Sequence, residues 1–118
     1  MPSTFSRLWG RLGRSAEAHT WEDSRREAER AATVPISETA DRDHVAIKGT
    51  ITGLGVQERA RGQWLEATLS DGSGAVTLVW MGRAAIPGIE VGRVLRVEGR
   101  IGLIDGERRI YNPGYTLL

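Results

Sequence analysis

Lys and Arg together number 16, and Lys48 is the only lysine among them. Arginine is always charged, and its planar fork suits both phosphate pairing and stacking on rings. Residues that would support catalysis are scarce. The two histidines, His19 and His44, have no Cys or Asp/Glu cluster at metal-ligand spacing. Asp41 and Asp43 precede His44, but Asp-Arg-Asp-His reads as a turn leading into a strand more readily than as a metal or general-base site. The chain has no Cys, so disulfides, thiolate zinc and Cys nucleophiles are all excluded. Ser70 and Ser73 have no recognisable base. No G-K-[ST] is present, and Gly53-Leu54-Gly55 lacks the third glycine and following helix of a dinucleotide fingerprint. These features predict binding without catalysis: no enzyme, no cofactor and no metal.

Charge narrows the reading further. The formal net charge is only +1, so any grip on a polyanion must come from a local patch. The 118 residues fit one domain, and 40% hydrophobic content is enough for a packed core. No apolar run approaches the roughly 20 residues of a membrane span. The N-terminus lacks the apolar region of a signal peptide, so a cytoplasmic location is expected.

The elements that must position these side chains divide near residue 33. Residues 1–33 are rich in Ala, Arg and Glu, which favour helix. Phe5, Leu8, Trp9 and Leu12 share one helical face, and Glu22 with Arg26 has stabilising i,i+4 spacing. A helical or partly disordered N-terminal extension is expected. Its apolar face spans two turns, which favours docking on a protein partner or folding back over lying on a membrane. Residues 34–43, with Pro35 and polar neighbours, read as a linker. From residue 44 onward the period is two, broken by Gly-rich turns, which predicts β-structure. Five strands are expected, over about 44–58, 63–70, 75–81, 93–102 and 108–112, with Asp71-Gly72-Ser73-Gly74 as a tight turn. Five short strands in a flat sheet would expose two edges. A long first strand bent at its glycines instead predicts a closed five-stranded Greek-key barrel over 44–118.

The run LSDGSGAVTLVWMGR, residues 69–83, resembles the strand 2–turn–strand 3 hairpin of OB-fold nucleic-acid-binding domains of the anticodon-binding type. Similar hairpins occur in aminoacyl-tRNA synthetases and in the wedge domain of branch-migrating helicases. GIEVGRVLRVEGRI, residues 88–101, resembles the family's fourth strand. With the closing IYNPGYTLL, the chain is similar to a small actinobacterial family of OB-fold nucleic-acid-binding-domain proteins. The resemblance implies a ligand face on strands 2 and 3, flanked by the loops between strands 1 and 2 and between strands 4 and 5. On strand 2, inward Leu65, Ala67 and Leu69 leave Trp64, Glu66 and Thr68 outside. On strand 3, Thr77, Val79 and Met81 fall outside and Trp80 has core parity. Arg59 and Arg61 lie in one flanking loop, Arg108 and Arg109 in the other, with Tyr111 beyond and Arg83 just past strand 3. The implied ligand is single-stranded nucleic acid, with arginines on phosphates and Trp64 and Tyr111 stacked on bases; DNA is expected slightly ahead of RNA, as nothing in the sequence reads a 2′-hydroxyl.

Each assignment has a simpler counterpart. Trp64 can stack bases or cover the barrel rim, and Tyr111 can stack or pack the barrel end. Loop arginines can serve only solubility. Glu58, Glu66, Asp105 and Glu107 dilute the basic patch, so weak, salt-sensitive binding is expected. The alternative function is a protein–protein adaptor using Trp64, Val79 and Met81 together with the N-terminal Trp helix. That surface would be nearly indifferent to salt.

Overall fold

The computed structural model describes residues 32–118; the expected helical extension lies in 1–31, outside the described residues, apart from its last two positions. A 3-10 turn at Ile36–Glu38 precedes seven strands: β1 (His44–Arg59), β2 (Gly62–Ser70), β3 (Ala75–Met81), β4 (Val94–Arg100), β5 (Gly102–Ile104), β6 (Glu107–Tyr111) and β7 (Gly114–Leu117). They form one sheet in the order β5-β6-β3-β2-β1-β4-β7. All pairs are antiparallel except β3 with β6.

Every expected strand segment is present, but the count of five becomes seven. The fourth segment stops at Arg100 because the Ile101 N–H turns aside to the Asp43 carbonyl (2.8 Å), and Gly102–Ile104 then pairs back on β6. The chain after Pro113 adds a short strand against β4.

β1 spans two neighbours, meeting β4 with its first half and β2 with its second. The register with β2 shifts between Ile51 and Gly53, a bulge that bends the strand around the barrel. The bend brings β1 against β2 so tightly that a Cβ on Gly49 would lie 2.7 Å from the Ser70 carbonyl oxygen. On the far side β4 and β6 close by packing: a Cβ on Gly99 would stand 2.6 Å from Ile110 Cγ2. Glycine at these two positions lets the sheet curl upon itself. Inside sit Ile47, Ile51, Leu69, Leu78, Leu95, Val97 and Ile110, all essentially without exposure. Trp80 joins them, as its parity predicts. Its indole N–H donates to the Pro113 carbonyl (3.2 Å), and Tyr115 meets it edge-on at 5.8 Å.

The stretch read as a linker is built into the barrel. Ile36 is fully buried in the core, and the Val34 N–H donates to the Ala46 carbonyl. Asp71, in the β2–β3 turn, holds this segment: its carboxylate accepts the Ile36 N–H (2.9 Å), the Ser73 N–H (2.9 Å) and hydroxyl (2.7 Å), and the Gly74 N–H (3.2 Å). Burial alone would raise the Asp71 pKa. The hydrogen bonds from Ser73, Ile36 and Gly74 outweigh it and hold the carboxyl below its ordinary value. Asp43 is buried too and accepts the Ala40 N–H (2.8 Å), so the residues before His44 form a turn, as their sequence suggests.

Candidate nucleic-acid interface

Strand alternation fixes which side chains share the outer surface. Register across β2, β3 and β6 then sets them in rows. Trp64 stands opposite Met81, Glu66 opposite Val79 and beyond it Tyr111, and Thr68 opposite Thr77 and beyond it Arg109. Met81 and Tyr111 are exposed, while Trp64, Glu66, Thr68, Thr77 and Arg109 are half-buried.

Val79 departs from expectation. It has outward parity but no exposure, and it lies outside the core cluster. Its row neighbours are Glu66 and Tyr111, and its carbonyl accepts the Asn112 N–H. It is therefore a buried floor and not a contact residue.

At the upper end the aromatic pair assembles. Trp64 and Tyr111 meet edge to face, with centroids 6.3 Å apart and planes at 83°. The Arg59 guanidinium lies over the Trp64 ring, 4.9 Å from its centroid, a cation–π contact. Asn112 fixes this corner: its N–H donates to the Val79 carbonyl (2.6 Å) and its side-chain oxygen accepts the Met81 N–H (3.0 Å). Asn112 adopts a left-handed φ of 51°. The sequence signal was there, since Asn tolerates that region.

The arginines divide. Arg109 joins the face but is held by Glu107 at 3.6 Å and Glu66 at 3.9 Å, and its Nε is buried without a hydrogen-bond partner. Arg108 does not join. Its Nε and Nη2 donate to the Thr39 carbonyl (3.4 and 3.2 Å), and Nη2 also donates to the Ser37 carbonyl (3.3 Å). Adjacent strand residues cannot both face outward, so Arg108 is directed instead to the carbonyls around the 3-10 turn. Arg61 lies in the two-residue β1–β2 turn and Arg83 follows β3. Both are exposed and make no hydrogen bond or ion pair among the described residues.

His44 opens β1 opposite Arg100, away from these rows. Burial lowers its pKa below the ordinary 6.5; Glu98 pulls it up and Arg100 pushes it down. Among the described residues no group of three or more His, Cys, Asp or Glu could hold a metal ion.

A curled sheet in which one long strand bridges β2 and β4, with β6 running parallel beside β3, defines an OB barrel. The family model for the OB-fold nucleic acid binding domain (tRNA anti-codon type) matches residues 45–118, and the chain belongs to that family. A comparison with curated proteins finds no match. Among solved structures, one of RecG bound to a three-way DNA junction is similar at 21% identity and TM-score 0.63, covering 72% of this chain and 12% of that one. The second OB-fold domain of replication protein A from Methanococcus maripaludis is similar at 15% identity and TM-score 0.57, covering 74% of this chain and 95% of that one. The p204 HINb domain has 18% identity and TM-score 0.57, covering 81% and 51%. At these identities the likeness concerns the fold. The chain spans about an eighth of the RecG chain's length.

Proposed function

We propose that this domain binds single-stranded nucleic acid without catalysis, DNA ahead of RNA, on the outer face of β2, β3 and β6. The observation that carries the reading is the Arg59–Trp64–Tyr111 cluster on the face that OB domains use for oligonucleotides. Exposed Tyr111 offers a ring to a base directly. Trp64 offers its ring once the Arg59 guanidinium moves off it, and that movement carries the cation toward a phosphate. Stacking is worth about 1–3 kcal/mol per base. Arg61 and Arg83 add exposed charges at the rim, Thr77 and Met81 line the surface, and Arg109 contributes what Glu66 and Glu107 leave of its charge. Binding should be weak and strongly salt-dependent.

Fluorescence anisotropy of a labelled mixed-sequence single strand, titrated at low and moderate salt against a duplex and an RNA of the same sequence, tests the reading. Micromolar affinity that favours the DNA single strand and falls steeply with salt is expected. Absence of binding at low salt would refute it. The alternative, a protein–protein adaptor, would use Trp64 and Met81 on the barrel, where Val79 is buried, together with the N-terminal Trp helix, which lies outside the described residues.

A further inference from the structure

The outer surface continues beyond the aromatic rows. Trp64, Glu66, Thr68 and Ser70 alternate along one side of β2. Ser70 pairs with Thr50 on β1, and Lys48, two residues before Thr50, pairs with Arg96 on β4. Cross-strand partners share a face, so Lys48 and Arg96 stand on the same outer surface as Trp64. From Trp64 to Ser70 is about 20 Å along the strand, at roughly 3.3 Å per residue.

A shallow, open cleft of about 440 Å³ lies at this far end, lined by Lys48, Thr50, Thr52, Ser70, Asp71 and Gly72. It presents an ammonium with the hydroxyl-bearing residues Thr50, Thr52 and Ser70. Lys48 is exposed and makes no ion pair among the described residues. Arg96, held to Glu98 at 4.0 Å, faces it directly. Among the described residues the one carboxylate in the lining, Asp71, is turned to the Ile36, Ser73 and Gly74 donors.

We propose that the Lys48 cleft is a second phosphate subsite, engaged by strands long enough to run from the aromatic cluster down β2. The proposal rests on the reading of the outer face as a nucleic-acid surface. Short oligonucleotides satisfy the aromatic end alone; longer ones add a contact at Lys48.

Because Lys48 is the only lysine, amine acetylation followed by mass spectrometry reads it without ambiguity beside the N-terminal amine. The full chain is acetylated free, then saturated with single-stranded DNA of roughly 4 or 16 nucleotides, the usual limits of an OB site, with saturation checked by anisotropy. Several-fold slower acetylation of Lys48 with the long strand and an unchanged rate with the short one are expected. Lys48→Gln should lower the salt slope for the long strand by about 0.7 and leave the short strand unaffected, and Lys48→Arg should restore it. A bound long strand with Lys48 acetylated at the free rate overturns the subsite and leaves the aromatic face standing. Equal protection by the short strand also overturns it, because Lys48 would then belong to the aromatic site. Binding of neither strand overturns both readings.

Discussion

Glu66 is the residue on this face whose removal should improve binding. Its carboxylate lies 3.9 Å from Arg109 Nη1, with side-chain exposures of 21% and 27%. The gross attraction is about 1–4 kcal/mol for an effective dielectric between roughly 80 and 20. Partly exposed pairs retain about 0–1 kcal/mol of this as net stability, so Glu66→Gln should cost the fold at most about 1 kcal/mol. For a ligand the sign reverses. A phosphate near Arg109 meets the Glu66 charge and finds the guanidinium already engaged. Neutralising Glu66 removes the repulsion and leaves Arg109 paired only with Glu107, whose side chain is 66% exposed. A gain of about 1 kcal/mol corresponds to roughly 5-fold tighter binding. One more phosphate contact steepens the salt slope by about 0.7 for a single strand. Anisotropy titrations across a salt series measure both. In the double variant Glu66→Gln/Arg109→Gln the gain should vanish. Weaker binding by Glu66→Gln, or tighter binding that persists without Arg109, would refute the placement of phosphates beside Arg109.

The other expectations separate the face from the scaffold. Trp64→Ala should weaken binding by roughly 5- to 150-fold, the loss of one stacked base. A fall in Tm with affinity intact would make Trp64 a rim packer. Arg108→Gln should do the opposite: loss of its bonds to the Ser37 and Thr39 carbonyls should cost about 1–2 kcal/mol, or very roughly 5–15 °C by calorimetry, with oligonucleotide affinity unchanged. Asp71→Ala leaves the Ile36 N–H without its acceptor and should destabilise by about 2–4 kcal/mol. Because the folded Asp71 pKa lies below its unfolded value, its contribution is present above about pH 3.9 and is lost as the pH falls through the folded pKa. Asp71→Asn should therefore be less stable at neutral pH and show a shallower acid-induced loss, which denaturant melts at stepped pH will show.

The barrel was legible because its signals are local and redundant. Alternation in Leu65, Ala67 and Leu69 and in Val76, Leu78 and Trp80 assigns the inner face, and the structure buries all six. The Asp-Gly-Ser-Gly turn announces itself by residue type. Strand ends were less legible because they depend on distant partners. Ile101 leaves β4 for the carbonyl of Asp43, 58 positions earlier in the chain, and no neighbour of Ile101 records that bond. The same holds for Ile36: a buried isoleucine between Pro35 and a polar run looks like linker until Asp71 is found to accept its N–H.

On the candidate face, parity was legible and occupancy was not. Arg108 and Arg109 could have been separated by alternation alone, since Ile110 marks the inward side of β6 and Arg108 shares its parity. Val79 shows the limit of that argument: parity assigns a direction, but exposure depends on how large the row neighbours are and how they lean. Charge pairing lies beyond sequence reasoning for the same reason. Glu66 and Arg109 are 43 positions apart, and neither adjoins the other's strand. They meet because β3 stands between β2 and β6 and the sheet curls, with Val79 and Thr77 as the intervening residues. A count of basic residues therefore overstates the potential available to a phosphate at the centre of the face. The cations less committed to carboxylates sit toward its ends, Arg59 over a ring at one and Lys48 beside hydroxyl-bearing residues at the other. That distribution makes strand length, more than net charge, the variable on which affinity should turn.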